Sequence, residues 1–204
     1  AIVEKALAAL KKQKPAPLAS KTAIHYIQAA NYDDDLALLG ECDLVIEAVA
    51  ERLDIKENLY SKVAPHLGAK TIFATNTSGL SIETLASVFS KELKDRFCGV
   101  HFFNPPRYMH LVELIACKET DAAVLDNLER FLVSTLGKGV VRAKDTPNFV
   151  ANRIGVFSML ATMANAEKYG LRFDVVDDLT GARLGRPKSA TFRTADVVGL
   201  DTFA

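Results

Sequence analysis

The sequence predicts an α/β chain: an open, mostly parallel sheet with helices on its faces, followed by an all-helical part. Three observations predict it. Short apolar runs of strand length alternate with amphipathic stretches as far as Ala143, the pattern that parallel strands joined by helical crossovers leave in a sequence. One run, "CDLVIEAV" at 42–49, is almost continuously apolar, as suits a strand covered on both faces. After Lys144 no strand-like segment follows and helical periods take over. A boundary is therefore expected at Lys144, with a sheet domain over 1–144 and a helical domain beginning over 145–204.

Taken in order, residues 1–14 carry Ile2, Val3, Leu7 and Leu10 at helical spacing and end in the basic, Pro-stopped "KKQKPAP". Residues 22–29 read as a strand. Asp33, Asp34 and Asp35 precede a short apolar run, where acids suit the positive end of a helix. The strand at 42–49 is followed by a helix over 51–67, with Ile55, Leu59, Val63 and Leu67 on one face. Residues 71–74 form a strand, 76–79 a polar loop, and 81–89 a helix for which Ser81 is the N-cap. Strands at 96–100 and 111–115 come next, then a helix over 121–136 that Gly137 stops. Residues 139–143 make a last short strand. Beyond them lie helices at 149–169, 174–184 and 194–198, with Gly170 ending the first and Phe173 preceding the second.

Bulk properties narrow the function. The chain has 204 residues, 25 basic and 25 acidic side chains, and 49% hydrophobic residues. Zero formal net charge argues against a general nucleic-acid or membrane-surface binder. Cys42, Cys98 and Cys117 show neither paired nor metal-like spacing, so they read as reduced thiols and a cytoplasmic location is expected. No apolar run is long enough to span a membrane. The His, Cys and acidic residues are scattered without ligand spacing, so no metal site is expected.

The chemistry concentrates at 96–115, "RFCGVHFFNPPRYMHLVELI". It reads as strand, tight loop, strand, because Pro105 and Pro106 cannot continue a ladder. His101 stands at the end of the first strand, and Glu113 is the one charge in the second. At the edges of adjoining strands the two can meet. A carboxylate on one ring nitrogen fixes the tautomer and leaves the other nitrogen as a base. By spacing alone, a histidine satisfied in the core is the more frequent reading.

"GVHFFNPPRYMHLVELI" resembles the signature of the 3-hydroxyacyl-CoA dehydrogenase family, the NAD-dependent enzymes of fatty-acid β-oxidation. The blocks "EAVAERLDIKENLY", "ATNTSGLSI", "DTPNFVANRIG" and "GRPKSATFRTADVVGLDT" match it in the same order. The resemblance implies His101 as catalytic base and Glu113 as its partner. It implies Ser78 and Asn152 at the substrate's reacting oxygen, with Ser78 also touching cofactor. It implies Glu51, Lys56 and Asn104 as cofactor contacts, and Lys188 and Ser189 near the acyl end. NAD as cofactor, a 3-hydroxyacyl-CoA or acetoacetyl-CoA as substrate, and a homodimer through the helical domain follow in the same way. A non-catalytic relative, or another hydroxyacid dehydrogenase using Lys144, is the alternative.

The family's sheet domain is Rossmann-like and opens with G-x-G-x-x-G between strand and helix. No such motif occurs in these residues, and "GKG" at 137–139 leads into a strand instead. The expectation is a piece of a longer polypeptide, without the first βαβ unit and the C-terminal end, that by itself binds NAD weakly.

Overall fold

A computed structural model describes residues 2–199. The chain divides into two compact units, Ala1–Phe149 and Val150–Ala204.

The first unit is built on a five-stranded sheet of order β1-β2-β3-β4-β5. The strands are β1 (Leu44–Glu47), β2 (Ile72–Thr75), β3 (Phe97–Phe102), β4 (Leu111–Ala116) and β5 (Gly139–Ala143). All neighbours are parallel except β3 and β4, which are antiparallel. The loop of 103–110 is short enough to return the chain only to the adjacent, antiparallel position. Consequently the carboxyl ends of β1, β2 and β3 share one edge of the sheet with the amino ends of β4 and β5.

Helices α1 (Ile2–Leu10), α2 (Leu53–Val63), α3 (Ile82–Ala86), α4 (Lys91–Lys94) and α5 (Ala122–Ser134) complete this unit. Two cores lie on the two faces of the sheet, as strand alternation requires. One is aromatic: Tyr60, Phe73, Phe89 and Phe97 pack with ring centroids 5.0–5.9 Å apart. The other is aliphatic, with Cys98, Val100, Val112 and Leu114 against Leu128 and Leu132 of α5. Gly99 sets how closely α3 approaches the sheet, since a Cβ there would lie 2.8 Å from Ile82 Cδ1 and 3.1 Å from Ile115 Cδ1. That packing fixes the start of α3, and with it the turn at 76–80.

Some expected elements differ. Residues 22–29 form no strand; Lys21–Tyr26 is a 3-10 turn with Tyr26 exposed, and no sheet neighbour is present there among the described residues. Strand preference is a statement about packing on a pleated surface, and this segment buries none of its residues. Asp33, Asp34 and Asp35 start no α-helix. Asn31 instead gathers the Asp33 and Asp34 amides on its Oδ1, and Leu36–Glu41 is a 3-10 turn. The helix expected over 81–89 stops at Ala86, and α4 was not foreseen.

The first unit runs to Phe149, close to the boundary expected near Lys144. The "DTPNF" turn stays with the sheet because Asp145 accepts from Ser81 Oγ (2.8 Å) and from the Ile82 and Glu83 amides (3.0 and 2.9 Å). Phe149 is buried in the aromatic core.

The second unit holds α6 (Ala151–Lys168), α7 (Phe173–Thr180) and α8 (Phe192–Val198). Gly170 ends α6 in the left-handed region, φ +60°. The helix expected over 174–184 breaks at Gly181 into a 3-10 turn, Ala182–Leu184. Phe173 stacks on Phe192 at 4.2 Å, and Asp177 accepts the amides of Thr191, Phe192 and Arg193 at the start of α8.

Candidate active site

The sheet edge formed by the ends of β1, β2 and β3 collects most of the expected residues. His101 and Glu113 are direct register partners across the antiparallel ladder. Their side chains therefore leave the same face, and Nδ1 of His101 lies 2.8 Å from Oε2 of Glu113. The imidazole is 3% exposed and Glu113 is fully buried. Phe103 and Phe149 flank the ring, with centroids 4.5 and 5.8 Å away. No partner takes Nε2 among the described residues, and no buried side-chain nitrogen or oxygen there lacks one. Nε2 is thus at the ring's accessible edge. With Nδ1 committed to a carboxylate, the neutral imidazole carries its lone pair on Nε2, the arrangement of a positioned base.

Two carboxylates organise the neighbouring strand ends. Glu47, at the last position of β1, accepts from α2, from β2 and from the backbone just beyond its own strand. Lys56 Nζ reaches its two oxygens at 2.7 and 2.9 Å, Tyr60 Oη and Thr75 Oγ1 each donate at 2.7 Å, and the Val49 amide donates at 2.6 Å. Burial pushes this carboxyl's pKa up, but the bonds from Lys56, Thr75, Tyr60 and Val49 outweigh it and hold it below its ordinary value. Burial also drives the Tyr60 phenol far up, so it stays a donor.

Glu51 closes the turn after β2. Its Oε1 accepts from Thr77 Oγ1 and from the amides of Ser78 and Gly79 at 2.9 and 3.0 Å. Burial raises its pKa, and those bonds, aided by Lys56, bring it below the usual carboxylate range. The Glu51 side chain is 43% exposed, and Oε2 is 3.8 Å from Lys56 Nζ. That second oxygen can still accept from a ligand hydroxyl. Ser78 is exposed beside it and is held through its own amide.

Lys56 departs from its expected role. It is 1% exposed and enclosed by Glu47 and Glu51, so its ammonium offers no surface to a cofactor and instead orients the two carboxylates. Asn104 is exposed, three residues past His101. Asn152 lies in the first turn of α6, half-buried in the second unit. Lys188 and Ser189 lie in the loop before α8.

Two site-building residues escaped the sequence reading. Asn76 pins the end of β3 by accepting the Phe102 amide at 2.9 Å. Asp145 caps α3 directly after the Glu51-held turn. A polar residue at each strand end was the available signal, but its partner is 26 residues away for Asn76 and more than 60 for Asp145.

Elsewhere, Glu83, Cys117 and Glu119 bring donor atoms within 4.8 Å of one another, with Lys118 and Lys94 alongside the two carboxylates. An apolar cavity of about 920 Å³ is lined by Ile2, Tyr32, Leu36, Leu39 and Cys42 and touches none of the residues above. No helix of the described residues is long and apolar enough to cross a membrane.

Comparison with known proteins follows the same line. Residues 1–146 match the family described as "3-hydroxyacyl-CoA dehydrogenase, NAD binding domain". A probable 3-hydroxyacyl-CoA dehydrogenase of Bacillus subtilis is 49% identical over 98% of this chain and 25% of its own length. One of Deinococcus radiodurans is 46% identical over 98% of this chain and 56% of its own. The chain thus spans between a quarter and just over half of these relatives. Among solved structures, (S)-3-hydroxybutyryl-CoA dehydrogenase from Ralstonia eutropha superposes with a TM-score of 0.78 at 32% identity, covering 99% of this chain and 69% of that one. FadB2 of M. tuberculosis gives 0.84 at 30% identity, covering 98% and 70%. The family match and the likeness of the fold agree, and the chain belongs to the 3-hydroxyacyl-CoA dehydrogenase family, whose sheet domain binds NAD.

Proposed function

We propose that the protein carrying this chain oxidises an (S)-3-hydroxyacyl-CoA to the 3-ketoacyl-CoA with NAD⁺. The observation that carries this reading is the buried 2.8 Å contact between His101 Nδ1 and Glu113 Oε2 at the ligand-facing edge of the sheet. In such sheets ligands bind outside the carboxyl ends of the strands.

NAD⁺, when bound, supplies the hydride acceptor. The rest is work for the chain's own side chains. His101 Nε2 takes the proton of the 3-hydroxyl. Glu113 holds the ring in the tautomer that leaves Nε2 unprotonated, and offsets the positive charge the ring acquires. Ser78 and Asn152 hydrogen-bond the substrate oxygen and fix its approach. The residues present suit the nicotinamide half of the cofactor: Oε2 of Glu51 is open while Oε1 is saturated, and Asn104 is exposed beyond the ladder. Lys56 acts behind Glu51. Positioned general-base transfer is worth roughly 10²- to 10⁴-fold. The acyl end near Lys188 and Ser189, a homodimer through the helical unit, and a cytoplasmic location belong to the same proposal.

The test compares two reactions of the purified whole protein: acetoacetyl-CoA with NADH, and a simple hydroxyacid with NAD⁺. Turnover of the thioester alone supports the reading. Turnover of the free hydroxyacid, or of neither, overturns it.

A further inference from the structure

The "GKG" of 137–139 is no phosphate loop, yet its lysine and second glycine both act on one segment. Gly137 turns the chain out of α5 at φ +67°. Lys138, 9% exposed, sends Nζ to the carbonyl oxygens of Pro106 (2.5 Å) and Met109 (2.8 Å). The Gly139 amide donates to the His110 carbonyl at 2.9 Å. The His110 ring lies flat enough on Gly139 that a Cβ there would meet Cδ2 and Nε2 at 2.9 Å. From outside, Arg107 reaches the carbonyls of Ala16 and Leu18, and Tyr108 Oη donates to Ala16 at 2.8 Å.

The gripped segment is the connection between the strand of His101 and the strand of Glu113. No carboxylate lies within ion-pair distance of Lys138 among the described residues, so two neutral carbonyls replace water around its charge. A methionine would fill the same volume without desolvating an ammonium. Packing alone therefore does not account for the lysine. Its donors do, because they hold two carbonyls of a loop that has no ladder of its own.

We infer that Lys138 is a positioning residue for the cofactor, acting through the 105–110 loop to hold Asn104 in place; this rests on the functional reading above. His101 and Glu113 are paired within the β3–β4 ladder and need no help from the loop. Asn104 lies past the ladder's end, immediately before the gripped segment, and takes its position from it. Lys138 thus governs cofactor affinity and leaves the proton-transfer pair intact.

The experiment measures NAD⁺ binding by calorimetry, alongside steady-state oxidation of (S)-3-hydroxybutyryl-CoA, on the whole protein. Lys138→Met should weaken NAD⁺ binding about tenfold, equivalent to one lost hydrogen-bonded contact. At saturating cofactor, kcat should stay within about twofold and its pH profile should not move, since no group of the dyad is altered. Lys138→Arg, whose guanidinium can serve two carbonyls, should recover most of the affinity. Gly139→Ala, which pushes His110 and the same loop, should weaken binding in the same direction by a smaller factor, and it keeps the test open if Lys138→Met does not fold. Unchanged Kd with lower kcat would mark Lys138 as merely structural and overturn the inference. If the unaltered protein binds NAD⁺ but oxidises no thioester, the functional reading fails while the Kd comparison still decides the role of Lys138.

Discussion

Replacing Glu113 with glutamine removes one charge and keeps the shape. The amide oxygen can still accept from Nδ1, so the ring's tautomer and orientation survive. What is lost is the negative charge opposite an imidazole that becomes cationic as the substrate's proton arrives. Both groups are buried, with 2.8 Å between Nδ1 and Oε2. Two unit charges with centres about 4 Å apart attract by about 4 kcal/mol at the effective permittivity of roughly 20 that suits protein sites. Each 1.36 kcal/mol is about tenfold in rate, so the full term is worth about 10³-fold. The amide dipole recovers part of it, and a fall in kcat of about 10²- to 10³-fold is expected, with KM for the thioester changed by less than about threefold. Steady-state oxidation of (S)-3-hydroxybutyryl-CoA by the whole protein, wild type against Glu113→Gln, reads both quantities. A kcat within a few-fold of wild type would show that the carboxylate does not stabilise charge on His101 during the reaction.

Two further predictions concern the carboxylates under the site. Glu47→Gln leaves Lys56 charged and enclosed with only the more distant Glu51 at 3.8 Å as counter-ion, and breaking a buried pair from one side costs up to about 3–5 kcal/mol; urea unfolding should show a loss approaching that order, and a loss below about 1 kcal/mol would mean that Glu51 alone satisfies the lysine. Glu51 and Glu47 both have folded-state pKa values below the ordinary 4.5. Each therefore takes up its proton more readily in the unfolded chain, so its stabilisation is fully present above about pH 4.5 and is lost as pH falls through the folded values. Thermal melts should fall more steeply below pH 4.5 for the wild type than for Glu51→Gln, and parallel curves would remove Glu51 from the acid response.

What the sequence made legible is what periodicity and local chemistry control. The run at 42–49 yields β1, and the alternation through Ile115 yields the antiparallel partner that faces His101. The pairing of His101 with Glu113 was readable because two strands joined by a short, Pro-broken loop have few registers open to them. Residues 22–29 misled because their apolar alternation has nothing to pack against, so β-preference had no surface to act on. Lys56 misled differently. Its place after β1 says that it is near the ligand edge, but whether an ammonium points outward or is closed over by Glu47 depends on Tyr60 and Thr75, 13 and 28 residues from that carboxylate. Asp145 and Lys138 were opaque for the same reason: each serves backbone groups far along the chain, and such partners leave no periodic trace.

The central claim is that His101 is the base that removes the hydroxyl proton, and one comparison tests it most directly. The whole protein and its His101→Ala variant are given (S)-3-hydroxybutyryl-CoA and NAD⁺, with thioester binding measured beside NADH formation. The account predicts binding within a few-fold of wild type and oxidation lower by about 10²- to 10⁴-fold, the range for loss of a positioned base. Oxidation at the wild-type rate by the variant would contradict it.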